Sequence, residues 1–310
     1  MRVLVTGNFG FIGCHLVKAL TKRGYEVIGV DIVPRSQVID KAHFFKVDIR
    51  NYSKLSEVVK RVDLVVHLAA LTDAYESLKK PEVYHDVNVS GTLNVLRLSH
   101  SLKIEKFVFI SSAAVYGEAC HLPIDEEHPL RPINPYGATK VACEAYVRAF
   151  HCSYNLPAVI LRIFNVYGPG QKRTYAGVIS EFVKRALLGK TLVIYGDGRQ
   201  TRDFVYISDV IEAIIKALES DLDFGVFNIG TGKPVTINEL AELIKNLTNR
   251  NELPITYEER RRGDVYQSYA DVRRAKKILG WEAKVKLKEG LRKTIEWYMR
   301  TSRSSNSLLS

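Results

Sequence analysis

The 310-residue sequence has few cysteines and no long apolar run. Its four cysteines, at positions 14, 120, 143 and 152, include no Cys-x-x-Cys pair, which argues against a disulfide scaffold or a cysteine zinc site. No apolar stretch approaches the roughly 18–20 residues that a membrane-spanning helix needs. The N-terminal residues show neither the charged nor the apolar region of a signal peptide. We therefore expect a cytoplasmic protein without a metal site and without membrane contact.

Positive charge is in excess, but it lacks the patterns of nucleic-acid binders. Lysine and arginine total 45 against 34 aspartates and glutamates, a formal net charge of +11. There is no basic tail, no run of five basic residues and no interleaving of basic with aromatic residues. The proportions of 46% hydrophobic and 25% charged residues are those of a globular protein. We expect the cations to serve a small anionic ligand rather than a nucleic acid.

Short apolar runs alternate with helical patterns through the first half of the chain. The predicted strands cover residues 3–6, 26–31, 44–47, 64–68, 106–111 and 156–162, and the main predicted helices cover 11–23, about 82–101 and about 136–153. Apolar strands separated by helices are buried on both faces, which indicates a parallel sheet with right-handed crossovers. The predicted fold class is therefore α/β, with a doubly wound Rossmann sheet.

The composition changes after Asn165, where glycine and proline interrupt the pattern. From there on, short strands and helices are mixed. We expect a first domain over residues 1–165 and a smaller α/β domain over 166–310, with the chain returning to the first domain near 200–220.

Three glycines stand between the first predicted strand and the first helix, at Gly7, Gly10 and Gly13. This spacing allows a tight turn, a close approach to a pyrophosphate, and packing of the helix on the strand. The helix N-terminus then offers free N–H groups to the anion. Asp31 ends the second strand, where a carboxylate binds ribose hydroxyls and repels a 2′-phosphate. The pattern favours NAD, although Arg35 close by leaves NADP open. The alternative interpretation of Asp31 is that it is a turn residue.

Two further segments suit a dinucleotide. Asp48 follows the third predicted strand and is placed to hold the adenine edge. Leu68, Ala69 and Ala70 end the fourth strand with small residues, as a close backbone approach requires. Simple tight packing is the alternative interpretation of these three residues.

Tyr136 and Lys140 put a phenol and an ammonium four residues apart on one helical face. A tyrosine with a pKa near 10 is a poor base at neutral pH, but a nearby ammonium and a positive nicotinamide both favour the phenolate. Taken alone, this spacing usually marks a solvated helix face; its place after a dinucleotide loop makes it more specific. Ser111 and Ser112 close the fifth strand, where a hydroxyl could bridge a substrate oxygen to Tyr136 or simply cap a turn.

Together these motifs resemble the extended short-chain dehydrogenases/reductases, and within them the NAD-dependent nucleotide-sugar epimerase/dehydratase group, especially the UDP-glucose 4-epimerases. The resemblance also includes the His-Leu-Ala-Ala run at 67–70 and the Ser-Ser-Ala-Ala-Val-Tyr-Gly run at 111–117. It covers residues 2 to about 296. It implies NAD contacts at Gly7, Gly10, Phe11, Ile12, Gly13, Asp31, Asp48, Ile49, Leu68, Ala69, Ala70, Asn88, Ser111, Tyr136, Lys140 and Phe164.

The second half resembles the segments of that group that bind the nucleotide sugar. Arg202 and Arg261 fall where two arginines grip the diphosphate, an arrangement that makes charge-assisted hydrogen bonds. The alternative is that both are surface cations. The resemblance implies substrate contacts at Ser112, Tyr136, Asn165, Val178, Val193, Tyr195, Arg202, Arg261, Asp264 and Ser268. It also implies a homodimer paired through the helices at 82–101 and 136–153, whose outer positions include Val141, Ala145 and Ala149.

Positions 113 and 114 separate members of this group. The 4,6-dehydratases carry Asp-Glu there and the UDP-glucuronate decarboxylases carry a glutamate at 114, whereas this chain has Ala113 and Ala114. A methyl group cannot transfer a proton, so elimination chemistry loses its acid and base. The activity implied is 4-epimerisation of a UDP-hexose through a 4-keto intermediate.

Several alternatives stay open. Ser268 falls where some epimerases keep a bulky residue, which leaves room for an N-acetylated sugar. The other hypotheses are a UDP-glucuronate 4-epimerase, another nucleotide-sugar oxidoreductase of the same fold, and an NAD-binding regulator without turnover. The segment from Thr72 to Tyr75 lacks the lysine and the glycine familiar in these epimerases, so the tightness of NAD binding also stays open.

Overall fold

The structure is a computed structural model, and it describes residues 1–33, 40–171 and 177–304. Its strands are β1 (Arg2–Thr6), β2 (Glu26–Asp31), β3 (Ala42–Lys46), β4 (Leu64–His67), β5 (Lys106–Ser112), β6 (Ala158–Ile163), β7 (Asn165–Tyr167), β8 (Leu192–Tyr195), β9 (Thr201–Arg202), β10 (Phe204–Tyr206), β11 (Phe224–Ile229), β12 (Val235–Thr236) and β13 (Ile255–Glu258). Its α-helices are α1 (Phe11–Lys22), α2 (Tyr52–Val58), α3 (Ala74–Ser77), α4 (Pro81–Tyr84), α5 (Gly91–Ser101), α6 (Pro135–Tyr154), α7 (Val178–Leu187), α8 (Ile207–Leu218), α9 (Ile237–Leu247), α10 (Arg273–Leu279) and α11 (Leu287–Ser304).

Within the described ranges, seven parallel strands form the main sheet in the order β11-β6-β5-β4-β1-β2-β3. The chain runs outward from β1 to β3, crosses back to β4, and then runs outward in the other direction. The strand order therefore reverses between β1 and β4, and such a reversal opens a crevice at the carboxyl ends of the strands. The sheet confirms the predicted doubly wound α/β fold.

Helices cover both faces of this sheet, which explains its continuous apolar strands. Val3 and Val5 face α1 and α8, whereas Leu4 between them faces α5 and α6. All three side chains are 0% exposed. Because successive side chains of a strand point to opposite faces, β1 has to be apolar at every one of these positions.

The elements after β7 form a smaller layer around the paired strands β8 and β13 and the helices α7, α9 and α11. The chain comes back to the main sheet through α8 and β11, which pairs with β6. Phe182, Leu240 and Ile295 of the smaller layer belong to the same apolar cluster as Val3 and Val5. One continuous core therefore joins the smaller layer to one face of the sheet.

Three features differ from the sequence-based prediction. The helix predicted over 82–101 is α4 and α5 joined by π-helical turns at His85–Ser90. The helix α2 and the seventh strand β11 were not predicted. The strand β11 contains Gly225 and is only partly buried along its first half, so it lacks the continuous apolar run of the inner strands. None of the helices in the described part of the chain is both long and apolar enough to span a bilayer.

Candidate active site

The glycine loop folds into a cradle that no larger side chain would fit. Gly7 has φ +70° and donates its N–H to the Val30 carbonyl at 2.8 Å, and Gly10 donates to the Gly7 carbonyl at 3.0 Å. A Cβ on Gly13 would lie 2.2 Å from the Gly7 oxygen, and a Cβ on Gly7 would lie 2.8 Å from the Ala69 nitrogen. Because Gly10 has no side chain to cap α1, the first N–H groups of that helix point into the cradle without a side-chain acceptor from it. The cradle suits a pyrophosphate.

Asp31 lies beside this cradle at the end of β2. Its carboxylate accepts the backbone N–H groups of Phe9, at 2.9 Å, and of Val33, at 3.0 Å. Asp48 instead forms an ion pair with Arg50 at 2.6 Å, and the hydrogen bonds from Arg50 hold the pKa of the Asp48 carboxyl below its usual range. The Asp31 carboxylate is therefore held by backbone N–H groups beside the cradle, and most of the Asp48 carboxylate is used by Arg50. Arg35 lies outside the described residues.

A buried hydrogen-bond chain through His67 holds the segment that follows β4, whose Ala69 backbone lies against Gly7 of the cradle. Thr92 Oγ1 donates to the Asn88 carbonyl at 2.5 Å, so it accepts from His67 Nε2 at 2.9 Å. His67 Nδ1 then accepts from Thr6 Oγ1 at 2.6 Å, and that oxygen accepts the Ala69 N–H at 3.2 Å. Burial lowers the pKa of His67 to about 3, which keeps the ring neutral. In the sequence, His67 stands out only as part of the His-Leu-Ala-Ala run, and its neighbours in the chain give no signal of this role.

Asn88 ties the segment after β4 to the helix that carries Tyr136. Its Oδ1 accepts the Leu71 N–H at 2.8 Å, and its Nδ2 donates to the Leu71 carbonyl at 3.0 Å and to Thr139 Oγ1 at 2.9 Å. The π-helical turns that contain Asn88 place this amide at 1% exposure. Leu68, Ala69 and Ala70 stay half-buried beside the cradle. Ile49 packs against Gly91, where a Cβ would lie 2.5 Å from its Cδ1.

Tyr136, Ser112 and Lys140 come together at the carboxyl end of β5. Burial raises the pKa of Tyr136 to about 12, and a hydrogen bond with Ser112 offsets part of that effect. Lys140, one turn further along α6, donates its Nζ to the Ile110 carbonyl at 2.8 Å. Burial also lowers the pKa of Lys140. Because Tyr136 is 8% exposed and Lys140 is 4% exposed, the pair does not form a solvated helix face.

The hydroxyl of Ser111 is used within the protein. It donates to Glu144 Oε1 at 2.5 Å, and Glu144 forms a buried ion pair with Arg162 at 2.7 Å. Arg162 also donates to the Tyr116 hydroxyl at 3.0 Å, beside the buried ring of Phe164. The network joins α6 firmly to the ends of β5 and β6.

The two arginines predicted to grip a diphosphate are both held by partners. The Arg202 guanidinium donates to Asp264 Oδ1 at 2.5 Å, and the residue is 8% exposed. The Arg261 guanidinium lies 3.7 Å from the ring centroid of Tyr195 and 5.9 Å from that of Tyr75. Arg202 is therefore not a surface cation, whereas Arg261 is exposed and lies against aromatic rings.

The remaining predicted substrate contacts are buried to different depths. Ser268 is 6% exposed, and its N–H donates to the Thr201 carbonyl at 3.3 Å. Val193 in β8 and Val178 at the start of α7 are half-buried, whereas Asn165 in β7 is exposed. No group of three histidine, cysteine, aspartate or glutamate side chains among the described residues is arranged to hold a metal ion.

Comparison with known proteins places the chain in a family. Residues 3–230 match the model of the NAD dependent epimerase/dehydratase family. The chain belongs to this family. Family membership agrees with the cradle beside Asp31, whose shape suits a dinucleotide, and NAD is the cofactor.

Relatives match the chain along almost its whole length. A putative UDP-glucose 4-epimerase of Methanocaldococcus jannaschii is 40% identical over 310 residues, covering 97% of this chain and 100% of the relative. The crystal structure of the UDP-glucose 4-epimerase of Thermotoga maritima, with UDP-glucose, has a TM-score of 0.93 at 38% identity and covers 97% of this chain and 99% of its own. MoeE5 in complex with UDP-glucose and NAD has a TM-score of 0.90 at 37% identity, with 97% and 99% covered.

The bound UDP-sugar differs between solved structures of these relatives. MoeE5 is also known in complex with UDP-glucuronic acid and NAD, at a TM-score of 0.91. The comparisons therefore identify an NAD-dependent epimerase of the epimerase/dehydratase family and leave the choice of UDP-sugar to the details of the site.

Proposed function

We propose that this protein is a UDP-hexose 4-epimerase that interconverts UDP-galactose and UDP-glucose. The observation that carries the proposal is the hydrogen-bonded pair of Ser112 and Tyr136, with Lys140 one turn away on α6. Ala113 and Ala114 follow Ser112 directly and offer no acid or base for eliminating water. Proton transfer at one hydroxyl is thus the chemistry that this group of residues can perform.

Tyr136 acts as the base that removes the proton from the sugar 4-hydroxyl. NAD+, held by the glycine cradle and Asp31, would supply a reversible hydride acceptor for sugar C4. Ser112 holds the 4-oxygen against the phenol. The ammonium of Lys140 and the positive charge of the oxidised cofactor favour the phenolate, which counteracts the raised pKa that burial gives Tyr136.

We propose that residues 1–165, together with α8 and β11, form the cofactor domain. The glycine cradle receives the pyrophosphate and Asp31 receives the adenosine ribose. Residues 166–310 then mainly hold the nucleotide sugar. Arg202 and Arg261 bind its diphosphate, and β8, which contains Val193 and Tyr195, lies along the uracil.

A second candidate substrate pair is UDP-GlcNAc and UDP-GalNAc. It is favoured by Ser268, whose small side chain leaves more room beside the sugar than a bulky residue does. We also propose a homodimer formed through α5 and α6. Ala145 and Ala149 on α6 are exposed and available for it, whereas Val141 packs inside, against the cluster around Val115.

The test is to incubate the protein with NAD+ and either UDP-galactose or UDP-GalNAc, and to resolve the products by NMR. Conversion to the gluco epimer is the expected result, and the ratio of the two rates tests the argument from Ser268. The variant Tyr136→Phe should lose about 10³-fold in turnover while its NAD affinity stays within twofold. Binding of NAD and a UDP-sugar without conversion of either substrate, or near-normal turnover by Tyr136→Phe, would refute the assignment.

A further inference from the structure

Residues 260–266 form a segment that we call the strap, and Asn134 ties it to the catalytic helix. The Asn134 Nδ2 donates to the carbonyl of Gly263 at 3.0 Å. The Oδ1 of the same amide accepts the Gly137 N–H at 2.8 Å and so caps the N-terminus of α6. Asn134 is 9% exposed. One buried amide therefore joins the strap to the helix turn that carries Tyr136.

A second tether holds the strap from the loop after β5. The Glu118 carboxylate accepts the Tyr266 N–H at 3.0 Å and 3.2 Å from its two oxygens. It also forms an ion pair with Arg260 at 2.8 Å. Both tethers come from segments that flank the catalytic residues, Glu118 following Ser112 and Asn134 preceding Tyr136.

The strap carries the groups that set the positions of both candidate diphosphate arginines. Arg261 belongs to the strap and stacks on Tyr195. Asp264, also in the strap, holds the guanidinium of Arg202. Gly263 lies between them with φ +75°, a conformation that lets its carbonyl meet Asn134 without strain from a side chain. Freeing the strap would therefore displace Arg261 and at the same time remove the Asp264 contact of Arg202, which keeps its hydrogen bond to the Thr201 carbonyl.

We propose that Asn134 is a positioning residue that preorganises the strap for a nucleoside diphosphate and registers it against the catalytic helix, with Glu118 as the weaker second tether. The inference rests on the proposed function for the identity of the ligand. Its physical basis is that one amide makes two hydrogen bonds: the oxygen of Asn134 caps the helix, and its nitrogen donates to the strap. A strap that is ordered before binding costs the ligand less ordering entropy, so binding is tighter.

Asn134→Asp separates these two uses. A carboxylate caps a helix as well as an amide does, but it has no hydrogen to donate and sets an anionic oxygen against the Gly263 carbonyl. We expect UDP, titrated by calorimetry, to bind about tenfold more weakly, and KM for the UDP-sugar to rise much more than kcat falls. The NAD affinity and the melting temperature should stay near those of the wild type.

Asn51→Asp is the matched control, because Asn51 caps α2 through its own side chain and lies far from the strap in the sequence. It should change neither UDP affinity nor KM. The variant Glu118→Gln, which keeps one acceptor for Tyr266 but loses the ion pair with Arg260, should weaken UDP binding by about threefold.

The outcomes separate this inference from the proposed function. Wild-type protein that fails to bind UDP would overturn the proposed function and the inference with it. Wild-type protein that binds UDP while Asn134→Asp binds it equally well would overturn the inference alone. An Asn134→Asp variant that loses NAD affinity or melting temperature in the same measure as UDP affinity would show a merely structural role, which also contradicts the inference.

Discussion

The two sides of the crevice that we propose for the cofactor and for the sugar, here called the cofactor side and the sugar side, are built in different ways. The cofactor side consists of backbone turned around glycines and of buried side chains, such as His67 and Asn88, whose hydrogen bonds form a closed chain. The sugar side is assembled from side chains of separate strands and loops that differ in exposure: the side chain of Asp264 is 43% exposed, whereas that of its partner Arg202 is only 9% exposed. The close backbone contacts of the cofactor side leave no space for larger side chains, whereas side chains on the sugar side can be replaced with local adjustment.

This difference shows where the choice of substrate can vary. Contacts on the sugar side involve side chains from segments far apart in the chain, as in the stacking of Arg261 on Tyr195. Replacing one of them changes a local contact and leaves the main sheet intact. A change in the cradle, by contrast, moves backbone against backbone. Three predictions test this contrast, beginning with the largest expected effect.

Gly13→Ala should abolish NAD binding and strongly destabilise the protein, by at least about 3 kcal/mol. The new Cβ would lie 2.2 Å from the Gly7 oxygen, a backbone atom that cannot move without opening the cradle. Gly24→Ala is the control, because nothing lies within 4 Å of a Cβ there and only the φ of +88° opposes the substitution. Thermal unfolding measures the stability of each variant, and titration measures its affinity for NAD. If the two variants lost stability and NAD affinity equally, the cradle would have space for a Cβ at Gly13.

His67 should make stability depend on pH. Its pKa is about 3 in the folded protein and near 6.5 when unfolded, so the unfolded chain takes up the proton first. The stabilisation is complete above pH 6.5 and is lost as the pH falls through 6.5 toward 3, amounting to about 2 kcal/mol between pH 7 and pH 5. The free energy of unfolding of His67→Gln, measured in urea, should not include this loss between pH 7 and pH 5.

His43→Gln provides the matched control, because His43 is exposed on β3. Its unfolding free energy should fall between pH 7 and pH 5 in parallel with that of the wild type. If His67→Gln also followed the wild type, the closed chain on the cofactor side would not depend on a neutral imidazole.

Arg261→Lys should have the smallest effect, a rise of about fivefold in KM for the UDP-sugar with little change in melting temperature. Lysine keeps the charge but not the flat guanidinium that stacks on Tyr195 at 3.7 Å. Arg262→Lys, at the exposed neighbouring position, is the control and should behave as the wild type. If the two variants gave the same KM, stacking would not position the cation and the sugar side would tolerate even more change than we propose.

Local pattern was enough to predict much of the fold. The inner strands β1, β4 and β5 were predicted because parallel strands buried on both faces must be apolar throughout. The helix α6 was predicted nearly to its ends, at about 136–153 against Pro135–Tyr154 in the structure, where Asn134 caps it. The edge strand β11 was missed because its partly exposed half and Gly225 carry little of that signal.

The candidate site could be predicted only in part for a related reason. Asp48 and Ser111 were singled out as polar residues at strand ends and predicted to contact the cofactor, but in the structure their side chains bind Arg50 and Glu144. Glu144 lies 33 residues from Ser111 in the chain. No spacing rule reaches that far, because the contact depends on how α6 packs against β5.

The amino-acid sequence by itself determined the glycine turn, the parallel sheet and the spacing of Tyr136 and Lys140, because each depends on conformational preferences within one or two elements. Only the tertiary structure decided that His67 is neutral, that Arg202 is paired with Asp264, and that Asn134 ties the strap to the catalytic helix. The physical reason is that these properties depend on burial and on partners 25 to 129 residues away, which come together only when the crossovers of the sheet are complete.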